Sequence, residues 1–247
     1  MHQNRRFYIL IFIGFLRKMV KVFSLGGSVI VPGDIDYGYL MKFRRFIVSY
    51  AKHEKVVIVC GGGHTARIYI KSLQKAKLDR KISGYIGIRV TRLNAWFVIN
   101  LFGGNGNCVP RVAKSLEEVA SLLEKYSIVI TGALRYGPES SSDASAAEIA
   151  HMLKSEFINI TNVNGVYNKD PRLKDAKFIG HMTFDELYRS LRKIGFTPGQ
   201  HGILDFYSAK LIKKYKIRTY ITGKNLNNLK RLLHKKKFIG TVIDDVF

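Results

Sequence analysis

The sequence predicts an α/β fold, a three-layer αβα sandwich with a mostly parallel central sheet. Short apolar runs alternate along the whole chain with segments whose apolar residues recur every three or four positions, which is the pattern of strands alternating with helices. Several apolar runs also end directly in polar, glycine-containing turns. Because the chain has 247 residues, is 47% hydrophobic and shows no linker, we expect one domain with a full core.

The first 18 residues are expected to lie outside this domain. The apolar run Phe7 to Leu16 is too short to span a bilayer, and no small-residue cleavage site follows it. A good first strand begins directly after Met19. We therefore predict an N-terminal extension or a misassigned start at 1–18 and a single domain at 19–247. A membrane-surface anchor is the alternative for the extension.

In the first half of the chain, apolar runs typical of strands alternate with segments of helical periodicity. Apolar residues at helical spacing predict a helix over Tyr37–His53, and Gly103 to Gly106 ends a later one. The predicted elements, in order, are a strand Val20–Leu25, the helix Tyr37–His53, a strand Val56–Cys60, a helix from the next turn to about Lys77, and a helix at about Tyr85–Leu101. Another helix is predicted to start at Ser115, with Ser115 as cap and Glu118 closing a capping box.

The second half continues the alternation. The predicted strands are Ser127–Thr131, Glu156–Thr161, Ile217–Ile221 and Phe238–Ile243, and the predicted helices are Asp143–Leu153, Thr183–Leu191, Asp205–Tyr215 and Leu226–Leu233, with a loop at Gly195–Gly202. In parallel sheets, ligands bind at the carboxyl ends of the strands. The turns that follow Leu25, Cys60, Thr131 and Thr161 are therefore expected to converge on one crevice.

One of these turns has the features of an anion site. Gly61-Gly62-Gly63 ends a buried strand and opens a helix that carries Arg67 and Lys71 on one face. Glycines allow a close approach to a ligand, and a helix start offers free N–H groups, so the turn is a candidate phosphate cradle. The alternative is a tight turn beside a solvated basic face. The sequence has neither a Walker A loop nor a dinucleotide fingerprint.

The composition indicates which classes of ligand or partner suit the chain. The net charge of +23, from 41 Lys and Arg against 18 Asp and Glu, favours nucleotides, nucleic acid or an anionic membrane surface. A general lysine bias is the alternative explanation, and because no nucleic-acid recognition motif accompanies the charge, nucleic acid is not the expected main partner. Cys60 and Cys108 lie far apart and outside any metal-ligand spacing, which fits a reducing cytoplasm and predicts no protein metal cluster.

An ordered set of motifs resembles the amino acid kinase family, and within it the archaeal-type uridylate kinases. The resemblance covers about residues 19–243, and it depends on the order of the motifs because any one alone is weakly specific. The motifs are Ser24-Leu25-Gly26-Gly27-Ser28, Gly61 to Arg67, Thr91-Arg92-Leu93-Asn94-Ala95, Ser141-Ser142-Asp143, and the run from Thr161 to Pro171.

The resemblance implies ATP-dependent phosphorylation of UMP to UDP with Mg²⁺, by an enzyme that assembles as a hexamer. It implies ATP-binding roles for Gly26, Gly27, Ser28, Gly63, Arg67, Thr161, Asn162, Tyr167 and Asp170. It implies UMP-binding roles for Gly62, the position of Gly84, Leu134, Arg135, Ser140, Ser141 and Ser142, and catalytic roles for Asp143, Asp205 and Arg67. Phosphoryl transfer requires positioning and charge neutralisation, which these residue types supply. The alternative for the two aspartates is that they only cap helices.

Three positions depart from the family pattern. Ser24 stands where many members carry a lysine, and Lys21 or Lys210 would have to take over the role of that lysine. Asn164 stands where the family pattern has an aspartate. Gly84 stands where the family places an aspartate that contacts the UMP ribose, and its loss would cost about 1–3 kcal/mol of binding.

Two other functions therefore stay open. One is a kinase of the same fold for another small phosphate or carboxylate, such as isopentenyl phosphate. The other is a basic nucleic-acid-binding protein with weakened catalysis.

Overall fold

A seven-stranded sheet forms the centre of the molecule. The computed structural model describes residues 20–103, 106–137, 140–192 and 203–246. The strands of the sheet are β1 (Val20–Leu25), β2 (Lys55–Cys60), β3 (Ile128–Thr131), β4 (Phe157–Thr161), β7 (His181–Met182), β8 (Thr219–Gly223) and β9 (Thr241–Ile243). They lie in the order β3-β2-β1-β4-β8-β9-β7, and every adjacent pair is parallel except β8 and β9. The predicted mostly parallel sheet is confirmed.

The helices cover this sheet. They are α1 (Gly27–Ile30), α2 (Tyr37–Tyr50), α3 (Gly63–Lys75), α4 (Arg80–Phe102), α5 (Leu116–Lys125), α6 (Ser142–Leu153), α7 (Phe184–Arg192), α8 (Phe206–Tyr215) and α9 (Leu226–Leu233). Strand β1 is buried almost throughout, as expected for a parallel strand with helices over both faces. Phe23, Phe43, Phe102 and Phe157 are the largest fully buried side chains of this core.

Most element boundaries agree with the predictions to within a few residues, and α4 departs most. It starts at Arg80 instead of about Tyr85, because the carboxylate of Asp79 accepts the N–H of Lys81 at 2.8 Å and caps the helix. Helix α4 packs against α3 and against β2 and β3, so it runs beside two of the turns at the carboxyl edge.

Four short elements were not predicted. They are α1, strand β7, and a separate antiparallel pair of β5 (Val166–Tyr167) and β6 (Phe178–Ile179). Two-residue strands are too short to show a hydrophobic period. The expected extension at 1–18 and the expected loop at Gly195–Gly202 lie outside the described residues. None of the helices in the described ranges is long and apolar enough to cross a bilayer.

Candidate active site

Two glycine turns, one after β1 and one after β2, interlock at the carboxyl edge of the sheet. A Cβ atom on Gly27 would lie 1.9 Å from the backbone nitrogen of Gly63, and one on Gly61 would lie 2.3 Å from the nitrogen of Gly27. Gly63 also has a φ of +65°, which favours glycine. The two backbones therefore touch directly, and the N-terminus of α3 opens beside the first turn.

Helix α4 fixes the second turn through one buried amide. The Nδ2 of Asn94 donates to the carbonyl oxygen of Gly61 at 2.7 Å and to that of Gly62 at 3.1 Å. Asn94 is only 7% exposed, so its amide is satisfied by this contact rather than by solvent. The N–H of Gly26 donates to the carbonyl of Ile160 at 2.9 Å, which ties the first turn to the end of β4.

Asp143 lies at the start of α6 but does not cap it. Ser141 is the cap, since its Oγ accepts the N–H of Ala144 at 2.9 Å. The carboxylate of Asp143 instead accepts a hydrogen bond from Ser24 Oγ at 2.7 Å, across the end of β1. Asp143 is therefore not the cap of α6, while its place in the first turn still suits the helix dipole.

Asp205 caps α8 and also contacts the start of α6. Its Oδ1 caps α8 by accepting the N–H groups of Tyr207 at 2.8 Å and Ser208 at 2.9 Å. Its Oδ2 accepts a hydrogen bond from the hydroxyl of Ser141, the residue that caps α6. This chain of contacts brings Asp143 and Asp205 to one place between the starts of α6 and α8.

Their surroundings disfavour negative charge on both aspartates. Loss of water, and then the charge of Asp205, raise the pKa of Asp143 above the usual carboxyl range. Burial also raises the pKa of Asp205, against the hydrogen bonds from Ser141, Ser208 and Tyr207. Within the described residues neither carboxylate has a Lys or Arg in an ion pair.

The donor set fits Mg²⁺. Two hard, uncompensated carboxylates attract a divalent cation, and Mg²⁺ usually binds one or two carboxylates together with substrate phosphates. The described ranges contain no cluster of three or more His, Cys, Asp and Glu side chains that would form a protein-only cage. Asp143 and Asp205 are the residues that would hold the ion.

A loop after β3 lies against α4 and leads to the two aspartates. Gly132 is so close to α4 that a Cβ there would lie 2.6 Å from the backbone of Thr91 and Arg92. The N–H of Leu134 donates to Ser145 Oγ at 3.0 Å. Arg135 forms an ion pair with Glu148, and Ser140 donates to the carbonyl of Arg135. Ser140, Ser141 and Ser142 then lead into α6 and the two aspartates.

Arg67 follows the second glycine turn on α3, and Gly84 lies on the neighbouring helix α4. Arg67 lies in the second turn of α3, and partial burial lowers the pKa of its guanidinium. Gly84 lies on α4, one turn before Gly87, whose carbonyl oxygen is 3.8 Å from the Cβ position of Gly62. A Cβ at Gly84 itself would have open space around it, so a longer side chain fits there.

The remaining predicted ATP residues divide into two groups. Thr161 is buried at the end of β4, next to the Ile160 carbonyl that accepts from Gly26, and Asn162 follows it. Tyr167 packs edge-on against Phe178 in the small β5–β6 sheet, with ring centroids 5.4 Å apart. Asp170 lies on the exposed connection, where hydrogen bonds from Arg172 lower the pKa of its carboxyl to about 2. In the described residues, no hydrogen bond links Asp170 to the glycine turns.

Lys21, one of the two lysines suggested as a replacement at Ser24, does not occupy that place. Lys21 pairs with Glu156 at 2.6 Å near the beginning of β1, three residues and about 10 Å from Ser24. Lys210 is exposed on α8. Ser24 itself binds Asp143, so the position supplies a hydroxyl donor to the acid pair instead of a cation.

Sequence reasoning missed the residues of α4 that hold the site together. Arg92 was left without a role, and Thr91 and Asn94 were noted only as parts of a motif. A buried asparagine within an otherwise apolar helical stretch is the signal that could have identified Asn94, because a buried amide requires partners.

Comparisons with known proteins agree with this geometry. A sequence model of the amino acid kinase family matches residues 19–223. The chain is 33% identical to a uridylate kinase of Thermococcus kodakarensis, over 90% of this chain and 98% of that one. It is 32% identical to a uridylate kinase of Thermoplasma acidophilum, over 91% and 96% of the two chains.

Solved structures show the same likeness. The crystal structure of the uridylate kinase from Archaeoglobus fulgidus superposes with a TM-score of 0.75 at 32% identity, covering 91% of this chain and 99% of that one. A UMP kinase from Ureaplasma parvum, at 23% identity, gives the same TM-score over 92% and 99% of the two chains and supports the fold.

Proposed function

This chain belongs to the amino acid kinase family, and on that premise we propose that it transfers the γ-phosphoryl group of ATP to UMP, giving ADP and UDP. The observation that carries the proposal is the acid pair Asp143 and Asp205 beside two interlocked glycine turns, in a chain whose archaeal relatives are uridylate kinases. Such a site offers backbone N–H groups to phosphates and carboxylates to a metal ion, which is what phosphoryl transfer requires.

The ATP side of the site consists of the turns after β1, β2 and β4. Gly26, Gly27 and Gly63 offer backbone close to the phosphates, with Arg67 as the nearby cation, because no side chain separates the two turns. Thr161, Asn162, Tyr167 and Asp170 then serve the adenosine, on the side of β4 and the β5–β6 sheet. Mg²⁺, held by Asp143 and Asp205, supplies neutralisation of the phosphate charge when bound. Ser24 and Ser141 orient the two carboxylates through their hydroxyl groups.

The acceptor side consists of Gly62 and the loop from Leu134 to Ser142. Both border α4. Gly84 leaves open space where the family pattern has a carboxylate for the ribose, so the chain recognises UMP with one polar contact fewer. This is the specific observation that favours the second candidate, a broader acceptor range that includes other nucleoside monophosphates.

An acceptor screen tests the proposal. Purified protein with ATP and Mg²⁺ is assayed by coupled ADP release with UMP, CMP, dUMP, AMP and isopentenyl phosphate. We expect the highest kcat/KM with UMP. Equal rates with all nucleotides would overturn the preference for UMP but not the kinase assignment, whereas no ADP release with any acceptor would overturn both. Arg67→Ala is expected to lower turnover severely, and wild-type turnover would reject its role.

We also propose that the protein is a homo-oligomer, a hexamer by family resemblance. Helix α4 exposes four large apolar side chains: Ile82 (40%), Tyr85 (44%), Leu93 (59%) and Trp96 (47%). Apolar residues grouped in this way mark interaction surfaces. Light scattering of the wild type and of Leu93→Glu tests this. A single monomeric mass for the wild type would reject the oligomer.

A cytoplasmic enzyme acting in pyrimidine nucleotide synthesis fits these substrates. The net charge of +23 also suits polyanionic ligands, and here the nucleotides are the proposed ones. Strong, salt-dependent RNA binding by protein that releases no ADP would instead favour the nucleic-acid alternative.

A further inference from the structure

Residues 133–136 begin the loop that we propose binds the acceptor, and they are called the acceptor loop below. Arg92 on α4 binds this loop at three points. Its Nε donates to the carbonyl oxygen of Ala133 at 2.9 Å, and its Nη2 donates to that of Leu134 at 2.7 Å. Its Nη1 lies 3.1 Å from the hydroxyl of Tyr136, and the guanidinium carbon lies 4.5 Å from the centroid of the Tyr136 ring. One planar side chain thus contacts three of the four consecutive residues 133 to 136.

Neighbouring residues of α4 act on the same segment. The Oγ1 of Thr91 accepts the N–H of Ala133 at 2.9 Å and donates to the Ile88 carbonyl at 2.7 Å. The ring of Tyr85 packs on that of Tyr136 at 5.6 Å between centroids. The loop therefore has a defined conformation before any ligand binds, and Arg92 makes the largest share of the contacts.

The contacts that Arg92 makes with residues 133–136, called the clamp below, leave two backbone N–H groups of the loop available for a ligand. The N–H groups of Ala133 and Leu134 are used by Thr91 and Ser145. Those of Arg135 and Tyr136 have no acceptor within the described part of the molecule. With two carbonyl oxygens of the loop bound to Arg92, backbone donors rather than acceptors remain for an anion.

We propose that Arg92 is a positioning residue for the acceptor phosphate: it holds the loop 133–136 in the conformation that binds the nucleoside monophosphate, without contacting the transferred group. The inference rests on the proposed function for its substrate, but the clamp itself is a property of the fold. The guanidinium is suited to this role because its donors form a rigid fork that can serve several acceptors at once, whereas a lysine offers one point of contact.

The kinetic test compares three variants of the full-length protein. Arg92→Ala is expected to raise KM for UMP at least tenfold and to change KM for ATP less than twofold. Arg92→Lys is expected to give an intermediate KM for UMP. Arg45→Ala is the control, because Arg45 is an exposed arginine on another helix, α2, outside the apolar face of α4. Equal increases in both KM values, or wild-type KM for UMP in Arg92→Ala, would overturn the proposal.

A second measurement does not depend on activity. Trypsin cleaves after Arg135, inside the clamped segment, and cleavage of a loop follows its local opening. Mass spectrometry of timed digests should show cleavage after Arg135 at least tenfold faster in Arg92→Ala than in wild type or Arg45→Ala. An unchanged rate would overturn the clamp.

Tyr136→Phe tests the same contact if Arg92→Ala does not fold. It removes only the hydroxyl acceptor and keeps the aromatic contact, so a smaller rise in KM for UMP is expected with an unchanged melting temperature. If the wild type transfers nothing to UMP, the proposed function fails, while faster cleavage in Arg92→Ala still supports the clamp.

Discussion

Replacing Gly27 by alanine would place a methyl group inside the backbone of the second glycine turn. The new Cβ would lie 1.9 Å from Gly63 N, 2.6 Å from Gly63 Cα and 2.8 Å from Gly62 N. All three are backbone atoms, so no side-chain rotation relieves the overlap. The two turns must move apart.

The size of that movement follows from these distances. Non-bonded heavy atoms rest at about 3.5 Å, so the turns would separate by roughly 1–1.5 Å. A misplacement of about 1 Å in a positioning site can lower the rate by about 10²-fold. Overpacking of this kind also destabilises by about 1–3 kcal/mol. We therefore expect Gly27→Ala to fold, with a lower melting temperature, and to lose about 10²-fold in kcat.

The assay is coupled ADP release with saturating UMP and ATP, alongside thermal unfolding. Gly33→Ala is the matched control, because a Cβ there meets nothing within 4 Å, and it should keep wild-type kcat. If Gly27→Ala were folded and turned over at the wild-type rate, the touching turns would not determine the catalytic geometry, and this reasoning would be refuted.

Three further changes have defined outcomes. Because burial raises the pKa of Asp143, ionisation of this carboxyl opposes folding, and the metal-free wild type should lose stability as the pH rises above the usual carboxyl range. Asp143→Asn should therefore be about 1–3 kcal/mol more stable than the wild type at pH 8 but inactive. Urea unfolding and turnover measurements test these two outcomes. Gly84→Asp, which has open space for its side chain, should lower KM for UMP about tenfold, while an unchanged KM would mean that the ribose lies elsewhere. Lys154 ends α6 with a φ of 50°, so Lys154→Gly should stabilise the protein by about 1 kcal/mol in urea unfolding, and a loss of stability would contradict the strain.

The main elements of the fold could be read from the sequence because each leaves a local pattern. Strand β2 is a continuous apolar run, and α9 is bounded by turn residues, so both were located to within a residue. The two-residue strands β5, β6 and β7 could not be located from a local pattern. Strand β7 consists of two residues whose pairing with β9 is decided by tertiary contacts over 60 residues away in the chain.

The candidate site was predictable where glycines and acids mark it and not where contacts cross between elements. The convergence of Gly27 with Gly63 and the pairing of Ser141 with Asp205 agree with the expectation of a single crevice. The attachment of Arg92 to residues 133–136 could not be inferred, since 41 residues separate Arg92 from the first of these and nothing local indicates the direction of its side chain.

Helix α4 also fixes the spacing between the loop 133–136 and the second glycine turn. Thr91 and Arg92 hold the acceptor loop and Asn94 holds the glycine turn, all within one helical turn. A helix advances about 1.5 Å and turns about 100° per residue, so a single inserted residue between them would rotate one attachment away from its partner. Substitutions in the loop or at Gly84 therefore leave both attachments in place, whereas a change in the length of this helix would separate the two halves of the candidate site.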